Sequence, residues 1–290
     1  MRNTIQLPLA FGGTVFLFMG CDPVADVFLG CTDALALNYD ALATEDNGSC
    51  TYEMDLEGDA QSTCAPVAWD GYIYDVAQIG EQCWFAENLR ATVYSNGDVI
   101  PSGLPQAEWS EAGETLLGSA AVYGDQSGPC NNFSPDVEAC DEAVALEAFG
   151  RLYNAYALQD DRGLCPNGWH VPTIEEWLEL KDYVVGEGAP ESKGFALKST
   201  ASWSGYMNSF GKFIDGNGGD DYGFAAMSAG MRYSSGAFGL SGMNCRFWSA
   251  SFTDAHSAYA LELGIHADNL TLQHANAATG SSVRCLQDAE

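Results

Sequence analysis

Apolar and polar positions follow two different periods along this chain, and each change of period marks an element. Over residues 71–79, Tyr72, Tyr74 and Val76 fall on one side at period two, which predicts a strand. Gly80-Glu81 then turns the chain back into Cys83-Trp84-Phe85. Tyr94-Ser95-Asn96-Gly97-Asp98, closed by Ile100-Pro101, predicts a hairpin. Residues 102–129 carry Gly, Ser and other small residues around Trp109 and Tyr123, which reads as a long surface connection.

The densest patterning lies in residues 149–180. Tyr153, Tyr156 and Leu158 alternate as a strand would, while Ala155 and Ala157 suit a helix equally, so both types stay open. Pro166-Asn167-Gly168 opens a turn that carries Trp169 and His170. Pro172 blocks helix upstream, and Thr173 with Glu176 forms a capping box, so a helix begins at about Ile174. Ile174, Trp177, Leu178 and Val184 fall on its apolar side, and Gly186, Gly188 and Pro190 end it.

Beyond this helix, residues 198–203 and 207–213 read as surface loops and short strands, and a glycine-rich turn at 215–221 precedes a strand YGFAAM. From Phe224 to Cys285 short strands are separated by turns at Ser235-Gly236, Ser241-Gly242, Asp268-Asn269 and Thr279-Gly280. Phe247-Trp248-Ser249 and Ala258-Tyr259-Ala260-Leu261 are expected at the centre of a sheet, to which residues 282–286 return. Short strands with few helices predict an α+β class.

Composition sharpens this picture. A chain of 290 residues with 47% hydrophobic and 12% aromatic content can bury a sizeable core. Ten cysteines point to an oxidising compartment. Arg2 precedes an apolar run over residues 7–19, shorter than the roughly 20 residues that span a bilayer, and the run ends in Leu17-Phe18-Met19-Gly20-Cys21. That ending resembles a bacterial lipoprotein signal, with residues 1–20 removed and Cys21 acylated; Phe18 departs from the usual aliphatic residue there. The alternative is an ordinary signal peptide with Cys21 free. The formal charge is −29, with seven Arg and four Lys, which disfavours nucleic acid as a partner.

A tether at 21–30 leads into a small module at 31–52, closed by Cys31 and Cys50 on local spacing. It resembles short GC-T-D-x-x-A-x-N-Y modules of bacterial surface proteins. Asp33, Asn38, Asp40, Asp46 and Asn47 are hard-oxygen donors for Ca²⁺, or else simply make turns. Residues 53–63 form an acidic linker, and the main domain covers 64–290. There, Asp215, Asn217, Asp220 and Asp221 are the best Ca²⁺ candidates, against a plain flexible turn. Cys130 and Cys140 enclose a local loop and are expected to pair.

Several ordered motifs, GRLYN at 150–154, CPNGWHVPT-x-x-EW at 165–177, YGF-x-A-x-x-A-G-x-R at 222–232, FWSAS at 247–251 and SSVRCLQD at 281–288, resemble the Fibrobacter succinogenes major paralogous domain family. With residues 64–90 the resemblance covers roughly 64–288. It implies a C-type-lectin-like, disulfide-stapled arrangement similar to that of formylglycine-generating enzymes: one or two helices on small irregular antiparallel sheets with long loops. It also implies pairing of Cys64 with Cys83 and Cys165 with Cys285, leaving Cys245 over. Glu87 and Asn88 sit among aromatics, and if buried they need partners such as Arg90, Arg151, Arg232 and Arg284.

The chemistry-bearing motifs are sparse. His170, His256, His266 and His274 show no metal-binding spacing, and no nucleophile elbow or phosphate loop occurs. Trp248-Ser249-Ala250 stands where a calcium lectin carries Trp-Asn-Asp. The expectation is therefore a non-catalytic binding or adhesion module on a bacterial envelope, attached to membrane lipid through Cys21, with a glycan or protein ligand met by loop aromatics. An extracytoplasmic enzyme related to formylglycine-generating enzymes, which would need Cys245 exposed with a second thiol or metal ligand in reach, or a purely structural envelope protein, are the alternatives.

Overall fold

Eleven residues, Asn244–Asp254, in which Phe247 and Trp248 lie at the buried centre, form the strand on which the fold is assembled. A computed structural model of the chain describes residues 27–32, 38–47, 64–186 and 193–289. The chain divides into two units, Met1–Ala60 and Gln61–Glu290.

In the first unit, Leu29–Gly30 pairs in parallel with Glu45–Asp46. The Phe28 amide donates to Thr44 Oγ1 at 3.0 Å. Cys31 is disulfide-bonded. Its expected partner Cys50, the lipidation candidate Cys21 and Asp33 lie outside the described residues, as does the Asp46 side chain.

In the second unit the central strand lies between Ala229–Arg232, parallel to it, and Ser257–Gly264, antiparallel. Phe238–Ser241 and Ala267–Asn276 complete a five-stranded sheet. A four-stranded antiparallel sheet runs Val76–Ile79, Gln82–Phe85, Leu286–Gln287, Trp169–His170. The chain end thus returns beside an early hairpin, as expected, whereas the single strand expected over 71–79 is two: Tyr72–Tyr74, paired with Val67–Trp69, and Val76–Ile79, in separate sheets. The class is α+β with small, mostly antiparallel sheets, and three disulfides staple the second unit: Cys64–Cys83, Cys130–Cys140 and Cys165–Cys285.

Side chains alternate across a strand, so neighbours on the central strand serve opposite faces. Trp248 packs with Tyr74, Phe85 and Tyr153, whereas Phe247 packs with Trp84, Trp177 and Phe224. Helix Ile174–Gly186 lies on the second of these faces. Its capping box forms as the residues dictate: the Thr173 amide donates to Glu176 Oε2 at 2.7 Å and the Glu176 amide to Thr173 Oγ1 at 3.3 Å. Trp177 Nε1 donates to the Trp248 carbonyl, which locks helix to sheet.

Several expectations need correction. Leu178 is exposed, and Leu180 is buried with Trp177 and Val184, because at 100° per residue Leu178 points well away from the line joining the other three. Residues 102–129 are no surface connection: they hold helix Gln106–Glu114 and strand Ala120–Val122, with Trp109 and Tyr123 fully buried. Trp169–His170 leaves its turn to become a strand pairing with Leu286–Gln287. Lys198 and Trp203 are buried rather than on the surface, the Lys198 ammonium donating to the Gly264 carbonyl at 2.7 Å. YGFAAM is not a strand, since Ala225 takes a φ of +47° and the local carbonyls turn inward. The turn placed at Asp268-Asn269 falls earlier, where Gly264 pairs with Ala267. The open question at 151–158 resolves as both types: strand Arg151–Tyr153, then a 3-10 turn Ala155–Ala157 capped by Asn154.

Candidate functional site

Of the polar residues singled out in the motifs, Asn88, Arg232 and Arg284 are buried, and Glu87, Arg90 and Arg151 are partly so. Arg284 is fully buried, and its guanidinium donates to Asn88 Oδ1 (2.8 Å), to the Phe85 and Phe224 carbonyls (2.8 and 2.6 Å) and to the Ala225 carbonyl (3.1 Å). The rings of Phe224 and Phe247 lie 4.6 and 5.4 Å from its Cζ. Burial in this carbonyl cage pushes its pKa down to about 9, so the side chain remains a cation at neutral pH. Asn88 in turn donates to the Phe149 carbonyl and to Ser282 Oγ. Gly150 is required beside it: its φ is +66°, and an added Cβ would stand 2.9 Å from the Asn88 carbonyl.

Glu87 takes hydrogen bonds from the Tyr72 hydroxyl (2.5 Å) and from Arg90 (3.0 Å), whose other donor contact is the Glu147 carbonyl. Arg151 donates to the Arg90 carbonyl. Arg232, also fully buried, donates to the Gly236 and Leu104 carbonyls and lies over the Trp109 ring at 4.3 Å. Burial lowers its pKa to about 10. These side chains hold loops to the core, and three of the cations, Arg151, Arg232 and Arg284, are matched to carbonyl dipoles rather than carboxylates, with Arg232 Nη1 buried without a partner among the described residues.

Cys245 is a free thiol with no exposed surface, and burial pushes its pKa up to about 12. A thiol so protonated and enclosed is a poor nucleophile. Tyr156 and His256 line an open depression of about 580 Å³ with Glu114 and Ser235. Burial raises the Tyr156 pKa, the reverse of activation. His170 bridges two carboxylates, Nε2 to Glu176 Oε1 at 2.9 Å and Nδ1 to Asp288 Oδ1 at 2.6 Å.

In the glycine-rich turn, Asp215 Oδ1 accepts from the Asn217 amide, Asn217 Oδ1 from the Trp203 amide, and Asp220 Oδ1 from the Ala225 amide. Burial raises the Asp220 pKa. Asp221 is exposed. In the first unit, Asp40 Oδ1 accepts from the Leu42 amide. Among the described residues, no three His, Cys, Asp or Glu side chains converge as metal ligands.

What the molecule does display is apolar. Tyr206–Met207 and Phe213–Ile214 pair as a two-stranded hairpin that projects Phe210, 92% exposed, at its tip, with Met207 and Phe213 both more than 60% exposed. Asn208 organises the turn: its Oδ1 accepts from the Phe210 and Lys212 amides, both at 3.0 Å, and its own amide donates to the Lys212 carbonyl. Gly211 supplies the positive φ of +72° that closes the turn. At the base, Ser204 hydroxyl donates to the Phe133 carbonyl, and the Phe213 ring packs over Gly205. The sequence reading placed short strands here but did not single out Phe210 and Phe213. Their signal was a turn bracketed by Asn208 and Gly211 with large apolar residues on either side.

Among the described residues no helix is long and apolar enough to cross a membrane. No curated protein and no solved structure matches the chain. A model of the Fibrobacter succinogenes major domain matches residues 77–287, a span that includes Asn88, the Thr173 cap, Arg232 and Arg284. With well over half of its length inside that match, the chain belongs to the Fibrobacter succinogenes major domain family.

Proposed function

We propose that this chain is a non-catalytic binding or adhesion module of a bacterial envelope, held by an acylated Cys21 after removal of residues 1–20, with a C-type-lectin-like main domain. The observation that carries this reading is the 206–214 hairpin. Large apolar side chains held rigidly in water cost free energy, and on loops over a stapled core they mark an interaction site. The disulfides fit an oxidising compartment outside the cytoplasm. The enzyme alternative asks for an accessible Cys245, whereas this thiol is enclosed and protonated.

The test is a glycan and peptide array probed with the mature protein, with and without Ca²⁺, beside the Phe210→Ser/Phe213→Ser variant. The reading expects ligands held by the first and lost by the second at unchanged melting temperature. A blank array would shift the reading to a structural envelope role. Incorporation of labelled palmitate, abolished by Cys21→Ser, tests the anchor separately.

A further inference from the structure

We infer that the 206–214 hairpin docks a cationic polypeptide segment bearing aliphatic side chains; this deepens the binding reading above and rests on it. Two properties of the surface select that partner. The first is its chemistry. Met207, Phe210 and Phe213 offer no side-chain hydrogen-bonding group of appreciable strength. Sugar rings are recognised by stacking together with polar contacts to their hydroxyls. Five of the seven tryptophans, Trp84, Trp109, Trp177, Trp203 and Trp248, are instead enclosed in the core. Aliphatic side chains need no more than the apolar contact that the hairpin presents.

The second property is charge. Lys212 is the one cation on the hairpin, while exposed Asp215 follows it directly and exposed Asp136 accepts from the Ser202 amide near its base. Around them the chain carries −29. Two copies meeting hairpin to hairpin would bring like fields together, and anionic lipid would be repelled. A basic segment is drawn in and oriented by the same field, with Lys and Arg facing the acids and aliphatic residues covering the Phe rings. The turn is already fixed by Asn208, so docking orders little of this side of the interface.

The experiment is a fluorescence titration of the full chain with three peptides of equal length, Lys/Leu, Lys/Ser and Glu/Leu, and with phosphatidylcholine vesicles, each repeated on Phe210→Ser/Phe213→Ser. We expect the Lys/Leu peptide to bind most tightly and to lose about tenfold or more in affinity on the variant. The Lys/Ser peptide, attracted by charge alone, should bind both proteins equally and weaken steeply with salt. Glu/Leu binding as tight as Lys/Leu, or Phe-dependent binding of the vesicles in place of the peptide, overturns the partner and leaves the binding reading standing. No Phe-dependent binding of these probes or of any array ligand overturns both. The substituted residues are exposed, and an unchanged circular dichroism melt confirms that the variant is folded.

Discussion

Arg284 Nε donates to Asn88 Oδ1 at 2.8 Å, a bond that joins the last segment of the chain to the loop after strand Gln82–Phe85 across 196 residues. The other guanidinium bonds go to three backbone carbonyls, and among the described residues no carboxylate pairs with it. Carbonyl dipoles and two phenylalanine faces therefore solvate a buried cation in place of water. The planar fork also explains why arginine stands here: its donors diverge at fixed angles toward Phe85, Phe224, Ala225 and Asn88, which an ammonium cannot imitate.

Arg284→Lys should accordingly destabilise the protein by about 3 kcal/mol or more, because acceptors inside the core lose their donors while a charge stays buried. Asn88→Ala should cost about 1–3 kcal/mol. The double variant should cost less than the sum of the two, as expected for partners in one network. Urea unfolding midpoints at constant slope measure all three, and a loss below about 1 kcal/mol for Arg284→Lys would show the cage to be dispensable.

Cys245, Tyr94 and Tyr153 give the fold an alkaline limit. Burial pushes Cys245 and Tyr94 each up to about 12, and raises Tyr153 well above its ordinary value. Raised acids keep their protons in the folded state after the unfolded chain has released them. The stability they contribute is complete below their ordinary values of 9 and 10 and is lost as pH rises toward 12. The lowered pKa values of Arg232 and Arg284 act in the opposite sense over the same range. Cys245→Ala isolates the thiol's share: its stability deficit relative to the native protein should shrink as pH rises above 9. At pH 8 iodoacetamide should leave native Cys245 unmodified and label it fully in guanidinium.

Where a rule is local, the residues declare their structure. Thr173 and Glu176 cap a helix whatever surrounds them, and Gly80-Glu81 closes the hairpin that brings Val76–Ile79 against Gln82–Phe85. Burial is decided by distant segments and is harder to read. Helix Gln106–Glu114 has no side-chain cap, and its inward residues besides Trp109 are Ala112 and Gly113, so its pattern looks like a loop. Contact with segments far along the chain, at Arg232, Phe238, Ala278 and Gly280, makes that face a core. The same holds for the candidate site. Short strands are expected at 207–213, but whether another layer covers Met207 and Phe213 depends on the whole fold. Arg284 could be recognised as scarce and motif-borne, yet its choice of carbonyls over carboxylates depends on Ala225, whose positive φ no alternation pattern reveals.

The disulfides should differ in worth according to the loops they close. Cys165–Cys285 spans 120 residues and Cys130–Cys140 spans 10. On chain entropy, replacing the first pair by Ala should cost roughly 5 kcal/mol and the second roughly 3 kcal/mol. Cys285 is also enclosed among core side chains, whereas Cys130 is partly exposed. Dithiothreitol under native conditions should therefore open Cys130–Cys140 first, as mass mapping of partly reduced protein would show. Equal sensitivity of the two pairs would contradict this ranking.

Glu176 divides its two oxygens between two tasks: Oε2 accepts from Thr173 and caps the helix, while Oε1 holds His170, whose other nitrogen reaches Asp288. Burial alone would raise its pKa, but the Thr173 bonds and His170 outweigh burial and lower it below the ordinary 4.5. A lowered carboxyl contributes stability that is present above 4.5 and is lost as pH falls through the folded value. Glu176→Ala, which removes both tasks, should cost about 1–2 kcal/mol at pH 7, and Glu176→Gln less, since its amide oxygen can still accept from the Thr173 amide. Both deficits should narrow in acid, when the native carboxyl itself is protonated. Thermal melts at pH 7 and below pH 4 separate this from a purely steric role, for which the deficit would be the same at both.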